Sequence, residues 1–322
     1  MTAIGLIGAG AVGQAVGTLL VTAGWCDGIM VASGSGRTAA SLVTDLEDMA
    51  QVTGSHVRAV QATPDAMSGC DAIVVCPRAS FANTAARDVR MAGLAANAPL
   101  VAALGRRLSG YQGVVVVVTN PVDIMTRLFA ETSGCARVFG VGSNTDSARY
   151  RLTLARLLDV PVEAVLGHVI GEHGEDAVIC ASSTTVRGLP ATVPLREVRD
   201  ELVHRPRRIN AGMGRTRCGP AGAVLAALTH ALGLVDGVIE LTAPWRGDWY
   251  GIPLRFTCGT PTVCLPPLAA AEAVRLQKAV AKLRTAYAQI AGHAAVHPAV
   301  QTSVHPAVHT AVHTAAEGDP TR

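Results

Sequence analysis

The sequence predicts an α/β protein: a doubly wound parallel sheet in the first half of the chain, followed by an α+β half. Three observations carry that reading. A short apolar run, Ala3–Ile7, enters Gly8-Ala9-Gly10-Ala11-Val12-Gly13 and leaves it as a stretch rich in Ala, Val and Leu, Gln14–Ala23. Strand-like and helix-like stretches then alternate as far as Val141, as parallel strands joined by crossover helices do. Val114–Val118 is unbroken valine, the composition of a strand buried on both faces.

Bulk composition bounds the rest. The chain has 322 residues, room for about two domains of ordinary size. Hydrophobic residues make up 49% and charged residues 16%, but aromatics only 3%, so Val, Leu, Ile and Ala must fill the core. A net charge of +3 gives no footprint for nucleic acid or an acidic membrane. The 8 cysteines are scattered without a Cys-x-x-Cys pair, which fits reduced thiols better than a disulfide framework or a zinc site. No metal site is expected. No basic segment precedes the glycine loop and no apolar run is long enough to span a bilayer, so a soluble cytoplasmic protein is expected.

The elements can be justified in order. Strand, Gly-x-Gly-x-x-Gly and helix form the dinucleotide fingerprint in its required context, a Rossmann-type unit. Gly8 allows the tight turn, Gly10 lets backbone approach a pyrophosphate, and Gly13 lets helix and strand pack closely. Ala11, Val12 and Gly13 complete the loop and are read as cofactor-binding, where the start of the helix presents unpaired N–H groups to phosphate. Gly28–Ala32 is the second strand. Where such a fold usually offers an acidic residue to the adenine ribose, this chain has Ser33, then Gly34, Ser35 and Arg37. Hydroxyls, glycine N–H groups and a guanidinium would hold a 2′-phosphate, whereas a carboxylate would repel it. NADP is therefore the preferred cofactor, with NAD as the alternative.

A helix over Thr38–Met49, a strand over Val57–Ala62, an acidic helix start at Thr63-Pro64-Asp65 and a strand over Asp71–Cys76 follow. Pro77–Arg90 has no clear period and reads as a long loop of the kind that forms lids. Arg90–Leu108 is helical. The valine strand ends in Thr119-Asn120-Pro121-Val122-Asp123, which puts Asn120 at the carboxyl end of a central strand, the edge where such sheets bind ligands. Val138–Val141 is one more strand. Gly142 then opens a helix to Leu158 on which Asp146 and Arg149, three apart, share a face.

The apolar run Ala164–Ile170 leads to Gly171-Glu172-His173-Gly174, a histidine in a loop at a strand end, suited to giving and taking protons. A lone histidine is more often structural; its weight comes from the segments upstream. Residues 177–203 mix short strand-like and helical stretches. Val203–Arg217 carries five arginines and His204 without interleaved aromatics, a solvated surface or interface and not a nucleic-acid patch. A helix over Pro220–Leu234, strands over Val238–Leu241 and Leu254–Cys258, and an amphipathic helix over Pro267–Ala291 complete the α+β half. The composition places a dinucleotide-binding domain at 1–143 and a substrate domain at 144–291. Residues 292–322, with five histidines among Val-His-Pro-Ala repeats, read as a low-complexity, disordered tail.

Four of these segments, Gly8–Gly13, Thr119–Asp123, Asp146–Tyr150 and Ile170–Gly174, stand in the order and at the spacing of the L-lactate/malate dehydrogenase family, and the chain resembles it from Ala3 to about Ala291. The resemblance implies a reductase of 2-oxo acids. Arg149 would grip the substrate carboxylate with its planar fork. His173 would hydrogen-bond the ketone oxygen and give its proton as hydride arrives from the nicotinamide. Asp146 would back His173, fixing its tautomer and favouring the protonated ring by charge. Asn120 would touch both cofactor and substrate oxygen. A lid arginine would polarise the carbonyl; the family spaces it seven residues before an asparagine, which selects Arg90 before Asn97, with Arg87 as runner-up. Dimers or tetramers are the family's usual assemblies, so a homodimer or homotetramer is expected.

The departures bear on substrate. Cys76-Pro77-Arg78 stands where the family has Thr-Ala-Gly. Six residues before the lid arginine, lactate enzymes carry Gln and malate enzymes Arg; this chain offers Thr84 before Arg90, or Phe81 before Arg87. Neither supplies a cation for a second carboxylate. Cys218-Gly219-Pro220 replaces the usual Thr or Ser region facing the substrate, which places Cys218 in the pocket. The reading is therefore a specialised 2-oxo acid as substrate. Two alternatives stay open: reduction of an imine on the same scaffold, and a catalytically silent dinucleotide-binding protein.

Overall fold

Residues 1–81, 91–294 and the backbone of 305–306 are described by a computed structural model of the protein. The first half alternates strand and helix: β1 (Ala3–Ile7), α1 (Ala11–Val21), β2 (Gly28–Ala32), α2 (Gly36–Thr53), β3 (Arg58–Gln61), β4 (Ala72–Val75), α3 (Leu94–Arg107), β5 (Val114–Val117), α4 (Val122–Ser133) and β6 (Val138–Gly140). These strands are parallel and lie in the order β6-β5-β4-β1-β2-β3. The order reverses between β1 and β4, which leaves a crevice at the carboxyl ends of the strands. Every residue of β4 and β5 is buried, because helices cover both faces.

Helix α2 shows how local signals set an element. Ser35 caps its start by accepting from the Thr38 N–H, Gly54 ends it in the left-handed region at φ 68°, and Leu42, Val43, Leu46 and Ala50 form its buried stripe. It runs further at both ends than the expected Thr38–Met49, because those caps lie outside the apolar stripe.

The second half contains α5 (Ser143–Leu157), β7 (Val165–Leu166), β8 (Val169–Ile170), β9 (Val178–Ile179), β10 (Thr185–Val186), β11 (Leu189–Pro190), α6 (Leu195–Met213), α7 (Cys218–Ala231), β12 (Gly237–Trp245), β13 (Asp248–Thr257), β14 (Thr260–Val263), α8 (Ala270–Ala288) and β15 (His305–Pro306). Strands β12, β13 and β14 are antiparallel and join the parallel sheet where Thr242 sits opposite Gly140. One sheet therefore crosses the 143/144 boundary drawn from composition. A smaller core around Tyr150, Leu154 and Val198 lies under α5 and α6, apart from the main core. The arginine-rich stretch runs from the second half of α6, where Arg205 and Arg208 pair with Glu201, to Arg217 at the start of α7. Most of the tail, 295–304 and 307–322, lies outside the described residues; Thr262 and Val263 of β14 pair in parallel with 305–306. Among the described residues no helix is long and apolar enough to cross a membrane.

Candidate active site

The glycine loop is built by close approach. The Gly8 N–H donates to the Ala32 carbonyl at 2.8 Å, and Gly8 takes φ +118°, a conformation that L side chains rarely adopt. A Cβ on Gly8 would lie 2.8 Å from the Cys76–Pro77 peptide, and one on Gly13 would lie 1.8 Å from the Gly8 carbonyl oxygen. Neither site can carry a side chain. Gly10 differs: a Cβ there would meet nothing within 4 Å, so the loop opens at that point onto free space. Helix α1 starts just behind it without a side-chain cap, its first bond being Gln14 N–H to the Gly10 carbonyl. The amides of Ala11, Val12 and Gly13 are left without intrahelical acceptors. An uncapped helix N-terminus facing open space fits a diphosphate.

At the end of β2, Gly34, Ser35 and Arg37 are exposed and Ser33 is half-buried. Ser35 spends its hydroxyl on capping α2, a second duty beside the one expected of it. Arg37 has no carboxylate partner among the described residues.

The histidine loop meets the start of α5. A Cβ on Gly142 would lie 2.5 Å from His173 Cγ, so the ring lies against the backbone there. His173 Nδ1 is 2.6 Å from Asp146 Oδ2, and Arg149 Nη1 donates to Asp146 Oδ1 at 3.3 Å. Asp146 and Arg149 are 6% and 8% exposed, so this carboxylate is shared by two partners away from bulk water. Gly171 makes the turn into the loop at φ +84°.

The loop backbone has its own anchors. The His173 N–H donates to Asp123 Oδ2 at 2.8 Å, and the Thr242 hydroxyl donates to the other oxygen of Asp123. Burial pushes the Asp123 carboxyl up to about 7, against the opposing pull of those two hydrogen bonds. Glu172 is buried and pairs with Lys282 of α8 at 2.8 Å; Asp176, held by Lys278 and Lys282, closes the far end of the loop.

On the neighbouring strand ends, Asn97 ties two loops together. It accepts from the Ala79 N–H at 2.9 Å and donates to the Asn120 carbonyl at 2.7 Å, while the Thr119 hydroxyl donates to the Pro77 carbonyl at 2.7 Å. The Asn120 side chain is exposed at that edge.

The structure thus brings together His173, Asp146 and Arg149, and sets Asn120 and the Gly8–Gly13 loop on the carboxyl edge of the same sheet. Cys218 is the exposed first residue of α7, whose next residue, Gly219, faces Thr145 of α5. Thr84, Arg87 and Arg90 lie outside the described residues. Asp123 and Lys282 were not singled out from sequence, and Asn97 only as the asparagine whose spacing selects the lid arginine. Asp123 falls inside the Thr119–Asp123 segment and could have been found as a carboxylate in an otherwise apolar helix start; Lys282 carries no such signal, and the tie that Asn97 makes between two loops has none either. A cavity of about 580 Å³ opens at the opposite edge, between Asp71, Tyr111, Gly113 and Gly259, and touches none of these groups.

Comparison with known proteins bears on the family and the fold. Residues 2–140 match the model of the lactate/malate dehydrogenase NAD-binding domain. An L-lactate dehydrogenase of Lactobacillus delbrueckii subsp. bulgaricus is 32% identical over 267 residues, covering 79% of this chain and 85% of that protein. A malate dehydrogenase of Sulfurisphaera tokodaii is 30% identical over 263 residues, covering 76% and 80%. Among solved structures, malate dehydrogenase from Plasmodium falciparum superposes with a TM-score of 0.83 at 18% identity, covering 91% of this chain and 100% of that one. The minor L-lactate dehydrogenase from Enterococcus mundtii gives 0.82 at 21% identity, covering 89% and 98%. At such identities the superpositions speak for the fold alone.

Proposed function

The chain belongs to the lactate/malate dehydrogenase family, and on that premise we propose that it reduces the carbonyl of a 2-oxo acid to a 2-hydroxy acid, using NADPH in preference to NADH. The observation that carries this reading is the His173–Asp146–Arg149 group at 2.6 and 3.3 Å. Residues 1–143 would hold the dinucleotide and 144–291 the acid, and the unit would work as a homodimer or homotetramer.

A bound reduced nicotinamide supplies the hydride. Asp146 engages Nδ1 of His173 and so fixes the tautomer, which leaves Nε2 as the atom that carries the proton to the carbonyl oxygen. Asp123 and Lys282 hold the loop so that this nitrogen keeps its position. Arg149 anchors the substrate carboxylate, and Asn120 fixes the cofactor side of the reacting carbon. The lid arginine, Arg90 or Arg87, would cover the carbonyl as charge builds on its oxygen. Thr84 and Cys218 would then shape the rest of the acid's pocket.

Preference for NADPH rests on Ser33, Gly34 and an exposed Arg37, which has no carboxylate partner among the described residues, where a ribose-binding carboxylate would stand. The test is oxidation of NADPH and of NADH against a panel of 2-oxo acids. A lower KM for NADPH is expected, with Arg37→Ala raising it about tenfold and leaving NADH within twofold. A lower KM for NADH would overturn the preference. No turnover of any 2-oxo acid, with tight cofactor binding, would overturn the activity.

A further inference from the structure

The cavity of about 580 Å³ lies at the amino ends of β4, β5 and β6, at the opposite edge of the sheet from the Gly8–Gly13 loop. Asp71, Gly113 and Arg137 stand immediately before those strands, and all three line it. The last turns of α3 and α7 and the β13–β14 turn, Cys258-Gly259, complete the wall. Pockets that take small molecules run from about 300 to 1,000 Å³, so this one is of ligand size.

One charge on the wall is unmatched. Arg137 is half-buried, and its Nη2 donates to the carbonyls of Ala231 and Gly259, both neutral acceptors. Its Nε and Nη1 make no hydrogen bond among the described residues, yet neither is sealed from solvent, so these donors reach the space that Arg137 lines. No carboxylate pairs with it among the described residues. The other charges on the wall are engaged. Arg107 holds Asp65 through two hydrogen bonds, and Asp71 accepts from the Ala3 N–H at 2.8 Å. The neighbouring Tyr111 phenol donates to the Cys70 carbonyl, and burial raises its pKa, so it stays neutral. Burial also pulls Arg137 down, the mark of a cation that has given up water without gaining an anion. The carbonyl end of α7 offsets only about half a unit of charge.

We propose that this cavity binds a small molecule through a phosphate or carboxylate group held by Arg137. The exposed hydroxyls of Ser68 and Ser109 and the exposed Gln112 amide line the same cavity and suit a polar body. The cavity shares no lining residue with the dinucleotide or 2-oxo-acid sites, so the proposal stands apart from the reading of either.

The test is calorimetric titration of the full chain at low salt with inorganic phosphate, glucose 6-phosphate and succinate, the dinucleotide site being kept filled with NADPH. One probe molecule per chain should bind, with a Kd of about 1 mM or below. A response to the phosphates alone identifies a phosphoryl head, and a response to succinate alone a carboxyl head. Ser109→Asp adds a like charge to the lining and leaves the bonds of Arg137 in place; it should raise the Kd about tenfold or more. Arg137→Gln should abolish binding and lower the melting temperature, since the bonds to Ala231 and Gly259 go with the charge. The probe that binds should also protect the exposed Cys258 thiol from iodoacetamide, by about tenfold at ten times its Kd, while the exposed Cys218 thiol at the start of α7 reacts as before. Alkylation is followed by peptide mass spectrometry. No binding of any probe, or a Kd that both variants leave within about twofold, would reduce Arg137 to a cap on α7 and overturn the proposal. Protection of Cys218 in place of Cys258 would put the anion at the other edge of the sheet and overturn it too. If Arg137→Gln does not fold, Ser109→Asp and the Cys258 rate decide.

Discussion

Two of the three arginines on helix α5, Arg149 and Arg151, each reach a carboxylate that also holds a histidine by Nδ1. In one group His173 lies 2.6 Å from Asp146 and Arg149 lies 3.3 Å away. In the other, His168 lies 2.6 Å from Glu240 and Arg151 lies 3.1 Å away. The chemistry of the two groups is nearly the same, but their settings differ. Residues two apart on a helix point roughly 200° apart, so the two arginines face different neighbours. Arg149 faces the start of α5 and the carboxyl edge of the sheet. Arg151 faces β12, where it also donates to the Gly167 carbonyl. The His173 loop has a buried carboxylate under its backbone and a lysine at its flank. His168 is part of the backbone pairing beside β8, its carbonyl accepting from Cys180. A histidine on a carboxylate is therefore not by itself an active site. What separates the two is the anchoring: Asp123 and Lys282 hold the His173 loop from two sides, whereas His168 lies in the pairing beside β8.

The largest effect expected is on the proton donor. His173→Asn should lower kcat by about 10²–10⁴-fold with cofactor binding kept, whereas His168→Asn should leave kcat within threefold. Equal losses in steady-state assays would erase the distinction between the groups. Next comes stability. Glu240 is 2% exposed and holds both Arg151 and His168, so Glu240→Ala should cost about 3–5 kcal/mol in urea unfolding while the folded fraction keeps its kcat. A fall in kcat without loss of stability would mean that the second group takes part in catalysis. Smaller again, Lys282→Met should lower stability by about 1.5–3 kcal/mol and kcat a few-fold, since it frees the Glu172 side of the His173 loop. An unchanged kcat would show that the loop needs no support from α8.

A further effect, confined to one pH window, is on pH dependence. The Asp123 carboxyl is raised from 3.8 to about 7, so between those values the folded chain holds a proton that the unfolded chain has lost. Its contribution to stability is complete below about 4 and is lost as pH rises toward 7. Asp123→Asn, which keeps one acceptor for the His173 N–H, should flatten that part of the curve of urea midpoint against pH. A curve that keeps its slope would move the titration to another group. Among the described residues no second carboxylate accepts from the His168 backbone as Asp123 does from His173.

Much of this was legible beforehand. β1 and β2 run as read, since a short apolar run bounded by Gly or Asp leaves little choice. The glycine loop, Asn120, Asp146, Arg149 and His173 were legible because each sits in a local pattern with a stereochemical reason. The hairpin was only half legible. Strands are expected over Val238–Leu241 and Leu254–Cys258, but β12 and β13 are longer and run through Pro244 and Pro253. They are joined by a two-residue turn in which Arg246 and Gly247 both take positive φ. An arginine there gives no turn signal, and its conformation is imposed by the strands it joins.

The amino-acid order alone determined the fold class, the place of the phosphate loop and the identity of three polar side chains, because those depend on spacing over a few residues. The tertiary structure decided which carboxylate lies under His173 and what holds it there. Asp123 and Thr242 are 119 residues apart and meet only because β12 pairs with β6 at Gly140. That register depends on burying whole strand faces together, a condition on the folded chain that no short segment carries.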